Sequence, residues 1–139
     1  TAKYALERDP DTVIVAVEPT GSLYRSFFGE DPDEEEYKTE GIGTHDPTTN
    51  ELFEPELVDD IIQVPDERAH AEIQRLAAEE GHLAASSSAA NSLAARNVAE
   101  QIAAGAIDAP KGAVVTFFPD SSERYLSKGI YGKFEEWQG

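Results

Sequence analysis

Cysteine is absent from this chain of 139 residues. Disulfides, zinc–thiolate sites and cysteine nucleophiles are thereby excluded. Methionine is also absent, the initiator included, so a piece of a longer protein is expected. Cations are scarce. Eleven Lys and Arg face 28 Asp and Glu, giving a net charge of −17. Nucleic-acid binding needs a basic face that neutralises phosphates, so no nucleic-acid partner is expected. No apolar run is long enough to span a bilayer. Thr1-Ala2-Lys3-Tyr4 lacks the basic-then-apolar order of a secretion signal. No Gly-x-Ser-x-Gly elbow occurs. His45, His70 and His82 do not cluster at metal-ligand spacing and read as surface or satisfied histidines. No metal ligands are expected within the chain, and a Ser-His-Asp arrangement stays open.

Apolar residues make up 40% of the chain, enough for one domain with a core. Val13-Ile14-Val15-Ala16-Val17 is a continuous β-branched run, the pattern of a strand buried on both faces. A second short strand is expected around Ile61-Ile62-Gln63-Val64 and a third at Val114 to Phe118. Thr1 to Glu7 reads as the end of a helix stopped by Pro10, and Leu23 to Phe28 as a short helix. Asp66 is the candidate N-cap of a helix whose apolar face is Ala69, Ile73, Leu76 and Ala77, and Gly81 stops it. Ser87 or Ser88 starts a further helix with Leu93, Val98 and Ile102 as its buried stripe. Gly29 to Glu40 and Thr44 to Asn50 are polar loops. Tyr131, Phe134 and Trp137 are docking anchors in the tail. Helices alternating with buried strands predict an α/β fold: part of a mostly parallel, twisted sheet flanked by helices. Three short strands make a small sheet, expected to pair with strands outside this chain.

The acidic excess is read first as a solvated surface, including Asp59-Asp60 and Glu135-Glu136. Self-repulsion among Asp31, Asp33, Glu34, Glu35 and Glu36 would then cost stability at low salt. Ser86-Ser87-Ser88 sits between a Gly-ended helix and an Ala-rich one. One reading makes these serines caps for first-turn N–H groups. The other has a hydroxyl donating to a ligand at the positive end of a helix. Gly41-Ile42-Gly43 lacks the full spacing of a dinucleotide fingerprint and is a turn.

Four ordered words resemble the cysteine synthase and cystathionine β-synthase family of fold-type-II pyridoxal phosphate (PLP) enzymes. They are Ala16-Val17-Glu18-Pro19, Glu40-Gly41-Ile42-Gly43, Glu79-Glu80-Gly81 with the serine stretch, and Pro119-Asp120-Ser121-Ser122-Glu123-Arg124-Tyr125-Leu126-Ser127. The tail Lys128-Gly129-Ile130-Tyr131 is most similar to acidic haloarchaeal members. Ala89 and Ser122 stand where the family usually has Gly.

The resemblance implies that residues 1–139 are the C-terminal portion of the PLP-binding large domain. It places Ser87 at the pyridine nitrogen of PLP, Gly41 beside the cofactor, and Pro119 and Asp120 in the wall around Ser87. None of Lys3, Lys38, Lys111, Lys128 or Lys133 lies in the context of the lysine that carries the cofactor. That lysine, the phosphate loop and the substrate-carboxylate loop would come from an N-terminal half of the same enzyme, so the resemblance implies that no catalytic residue lies in this chain and that the chain alone is inactive. The implied whole is a cytoplasmic homodimer that acts on a small amino acid. It replaces the leaving group of an activated serine with sulfide; homocysteine as nucleophile is the sister reading. A non-catalytic acidic α/β binding module is the reading of another class.

Overall fold

Two parallel strands form the sheet. The computed structural model describes residues 1–31, 35–107 and 113–128. Strand β1 is Val15–Pro19 and strand β2 is Asp60–Val64, with Val15 opposite Asp60 and Pro19 opposite Val64. β1 lies two residues later than the apolar run predicts, so the pairing extends to Glu18 and Pro19, both buried. Asp59 sets the entry to the pair: its carboxylate accepts the Ile14 N–H at 2.7 Å, and its own N–H donates to the Ile14 carbonyl at 2.8 Å. One member of a pair expected to be merely solvated therefore fixes strand register.

Helix α1 spans Ala2–Arg8, α2 spans Asp66–Glu80 and α3 spans Ser86–Ala103. α2 forms where Ala69, Ile73 and Leu76 recur at helical spacing, and all three are buried. It ends at Gly81, whose φ of 72° is left-handed, and the His82 N–H returns to the Leu76 carbonyl at 3.0 Å. Asp66 is not the N-cap; that position belongs to Pro65. The Asp66 carboxylate faces another loop and accepts the Thr39 hydroxyl at 2.6 Å and the N–H groups of Lys38 and Thr39.

The buried face of α3 differs from the expected stripe. Ser86, Ser87, Ser88, Ala89, Ala90, Ser92 and Ala94 are buried, whereas Leu93, Val98 and Ile102 are half-buried. Small side chains let the start of α3 approach α2 and both strands closely. One core cluster joins Ile73, Leu76, Ala84 and Ala89; another joins Val64, Ala69 and Ala90, with Val17, Ile42, Ile62 and Leu93 packed against it.

The third strand is not formed. Residues 113–118 join no ladder among the described residues. Val115 is 75% exposed and Phe117 58% exposed. The segment bonds to helix α3 instead, with Asn91 Nδ2 donating to the Phe117 carbonyl at 3.0 Å. A strand needs a neighbour to satisfy its backbone, and none lies beside this one among the described residues. Tyr131, Phe134, Trp137 and Glu135-Glu136 lie outside the described residues. No helix among the described residues is long and apolar enough to cross a membrane.

Candidate functional site

The start of α3 and the Pro119–Tyr125 turn form one unit. Ala84 and Ser121 make an isolated antiparallel bridge, and the Ser122 N–H donates to the Leu83 carbonyl at 2.9 Å. The Ala85 N–H donates to the Asp120 carbonyl at 3.3 Å. Ser88 Oγ donates to that same carbonyl at 2.7 Å, and the Asp120 N–H reaches back to Ser88 Oγ at 3.4 Å. The Asp120 carboxylate accepts the Tyr125 hydroxyl at 2.7 Å and pairs with Arg124 at 3.2 Å. The bond to Asp120 raises the Tyr125 phenol above its ordinary value, and burial and the Asp120 and Glu40 charges add to this.

The serines are not caps. Ala85 occupies the N-cap position, without a side-chain bond, and all three serines lie inside the helix. Ser88 holds the turn. Ser87 is only 4% exposed, and no hydrogen bond among the described residues uses its hydroxyl. It sits in the first turn of an 18-residue helix, at the positive end of the dipole. Ser86, 3% exposed, likewise has no hydrogen bond to its hydroxyl among the described residues, so of the three serines Ser88 alone is committed to the turn.

Gly41 has φ of 86°, a left-handed conformation that favours glycine, and a Cβ there would meet nothing within 4 Å. Its loop is held from three sides. Asp66 grips Lys38 and Thr39. The Thr44 N–H donates to Ser22 Oγ at 3.1 Å, and the Leu23 N–H donates to the Thr44 carbonyl at 3.0 Å. Ile42 packs on the cluster that contains Ala90 of α3. A cleft of about 430 Å³ is lined by Tyr37, Lys38, Thr39, Glu40, Gly41 and Lys128, among others. The Lys128 ammonium pairs with Glu40. That ion pair ties the glycine loop to the segment that follows Asp120. Asp120 meets the start of α3 through Ser88 and Ala85, Pro119 precedes it as an exposed residue of the turn, and Gly41 lines the separate cleft. No three His, Asp or Glu side chains among the described residues converge as a metal site.

Sequence reasoning passed over two buried carboxylates. Glu18, at the end of β1, is 0% exposed and accepts the Tyr24 N–H at 3.0 Å and Gln63 Nε2 at 3.2 Å. Glu72, on α2, accepts from Arg75, Arg96 and Ser92. A signal existed for Glu72: it falls three residues after Ala69 and four before Leu76, inside the apolar stripe.

Residues 1–120 match the family model of pyridoxal-phosphate dependent enzymes. The chain is 38% identical over 131 residues to the O-acetylserine dependent cystathionine beta-synthase of Bacillus subtilis (strain 168), covering 94% of this chain and 38% of that protein. It is 37% identical over 132 residues to the cysteine synthase of Helicobacter pylori (strain ATCC 700392 / 26695), covering 94% and 39%. The crystal structure of the Helicobacter pylori O-acetylserine dependent cystathionine beta-synthase matches with a TM-score of 0.71 at 36% identity, over 94% of this chain and 39% of that one. The chain thus spans 38% to 39% of the length of these relatives. By the match of 120 of its residues and the agreement of fold, the chain belongs to the family of pyridoxal-phosphate dependent enzymes.

Proposed function

We propose that this chain is the C-terminal portion of the large domain of a PLP-dependent cysteine synthase, which replaces the leaving group of an O-acetylserine-like substrate with sulfide. The observation that carries the reading is the contrast between Ser87 and Ser88. Ser88 is tied to the Asp120 carbonyl; of the two other buried serines in that first turn, Ser86 and Ser87, the family words select Ser87, which lies at a positive helix end. Those residues fit the ring edge of PLP. When bound, PLP supplies the electron sink for losing a β-substituent.

The chain's own residues bind and orient. Ser87 would hold the pyridine nitrogen as a neutral hydroxyl donor, a partner suited to β-elimination and replacement. Pro119 and Asp120 hold the turn that keeps Ser88 away from the ligand. Gly41 would leave open space beside the cofactor.

An N-terminal half of the same enzyme would contribute the cofactor lysine, the phosphate loop and the substrate-carboxylate loop. The share of the relatives that this chain spans supports that arrangement. The same reading makes the enzyme a cytoplasmic homodimer, and the net charge of −17 fits a protein adapted to high salt, as in haloarchaeal members. Homocysteine as nucleophile is the second reading, favoured by the names of two of the relatives.

The test uses the enzyme assembled with its N-terminal half. Ser87→Ala is expected to weaken PLP retention on dialysis and slow turnover of O-acetylserine, with Ser88→Ala as control. Running the assay with sulfide and with homocysteine separates the two nucleophiles. If the unmutated assembly retains no PLP, the non-catalytic binding module is the better reading. If Ser88→Ala abolishes retention and Ser87→Ala behaves as wild type, the assignment is one residue out of register.

A further inference from the structure

The buried face of α3 is built almost wholly from Ser and Ala. Such residues allow close approach, but their ridges are shallow and define the rotation of a helix about its axis poorly. The aim of Ser87 depends on that rotation. Something else must fix it, and the described residues contain three pins. Two tie α3 to residues 117–120: Ser88, bonded to Asp120, and Asn91, bonded to the Phe117 carbonyl. The third lies between the helices.

Glu72 projects from α2 with 3% of its side chain exposed. Its Oε1 accepts Ser92 Oγ at 2.8 Å and Arg75 Nη2 at 2.9 Å. Its Oε2 accepts Arg75 Nε at 2.9 Å and Arg96 Nη1 at 3.2 Å. Arg75 grips it in the two-pronged geometry that holds a carboxylate in one orientation. Arg75 is itself held from behind by Glu79 at 2.8 Å and Glu80 at 3.4 Å. Ser92 and Arg96 both belong to α3, one turn apart. A carboxylate buried with four donors has no second arrangement of comparable energy, because turning α3 would leave a desolvated charge short of partners. Ser92 follows Ser87 by five residues, about 140° around the axis and about 7.5 Å along it. A helix is rigid over that length, so the angle set at Ser92 is delivered to Ser87.

We propose that Glu72 is a positioning residue: through Ser92 and Arg96 it fixes the rotation of α3, and so aims the Ser87 hydroxyl at the cofactor ring. The proposal rests on the assignment of Ser87 to that ring. It adds that an interhelical carboxylate, outside every sequence word that points to the cofactor, sets how well Ser87 performs.

The experiment compares four variants of the assembled enzyme: Glu72→Gln, Ser92→Ala, Ser87→Ala, and Ile61→Val. Ile61→Val is a core change on β2 outside both clusters of α3 contacts. Two readouts are used besides activity: amide hydrogen exchange at residues 86–90 in the apoenzyme, and PLP retention with its absorption spectrum in the loaded enzyme. Glu72→Gln is expected to speed exchange at residues 86–90, weaken PLP retention by about tenfold, and shift the spectrum toward that of Ser87→Ala. Ser92→Ala, which keeps both arginine pairs, should produce the same changes in smaller measure, and serves alone if Glu72→Gln does not fold. Ser87→Ala should weaken retention with exchange unchanged, and Ile61→Val should leave both readouts as in wild type. If Glu72→Gln and Ser92→Ala lower the melting temperature but match Ile61→Val in exchange and retention, Glu72 only stabilises the fold and the proposal fails while the role of Ser87 stands. If Ser87→Ala retains PLP as wild type does, the assignment of Ser87 fails and this proposal falls with it.

Discussion

Ser87 and Ser88 carry the same hydroxyl one residue apart, and the difference between them is where the helix turns each one. Ser88 meets the Asp120 carbonyl at 2.7 Å. Ser88→Ala should therefore cost about 1 kcal/mol, the usual worth of such a bond, read from denaturant unfolding of the assembled enzyme. Gly43 faces a different constraint: a Cβ there would lie 2.8 Å from both the Pro19 ring and the Tyr37 ring. Neither ring is a flexible chain end. Gly43→Ala should lower stability by about 1–3 kcal/mol, in the range of core overpacking. Gly41→Ala meets no atoms and suffers only the left-handed backbone.

Glu72 gives a pH prediction with a definite sign. Burial raises its carboxyl, but the bonds from Arg75 and Ser92 and the charges of Arg75 and Arg96 outweigh burial and hold it below its ordinary value of 4.5. A carboxyl depressed in the folded state stabilises above that ordinary value, and the gain is lost as pH falls through the folded value. Wild type should therefore exceed Glu72→Gln in melting temperature at neutral pH, and the gap should narrow as pH falls below 4.5. A gap that widens in acid would contradict the depressed carboxyl.

Among the elements, α2 was the most legible. Its apolar spacing and Gly81 stop are local, and the helix follows them. Leu76, 3% exposed and packed with Ile73, Ala84 and Ala89, should cost about 2–5 kcal/mol as Leu76→Ala in thermal or denaturant unfolding. α3 was legible as a helix but not in its orientation. Counting large residues pointed to Leu93, Val98 and Ile102, whereas the packed face is the one that approaches most closely and is made of the smallest side chains. Residues 113–118 read as a strand from composition alone. Membership of a sheet depends on a neighbouring chain segment, and here their partner is Asn91 of α3.

At the scale of the whole molecule, charge dominates. A chain with 28 acidic and 11 basic residues, most of them exposed, repels itself. Raising salt from about 0.1 M to 1 M shortens the screening length from about 10 Å to about 3 Å. The assembled enzyme should melt at a higher temperature in molar KCl than at low salt. A melting temperature indifferent to salt would remove the high-salt reading and leave the family untouched.

The sequence by itself determined what depends on composition and neighbouring residues. No thiol chemistry is available, the surface is acidic, a parallel pair of strands forms near Val15 and Ile61, and Gly81 ends α2. It also carried the words that point to the family and to Ser87, Gly41, Pro119 and Asp120. Only the tertiary structure decided that Ser88 is committed to the turn, because it is bound by a carbonyl 32 residues away. It also decided that Glu18 and Glu72 are buried and satisfied, because the donors that permit this burial stand as far off as Gln63 and Ser92. A hydrogen bond across such separations is a property of the packed chain, and local pattern carries no record of it.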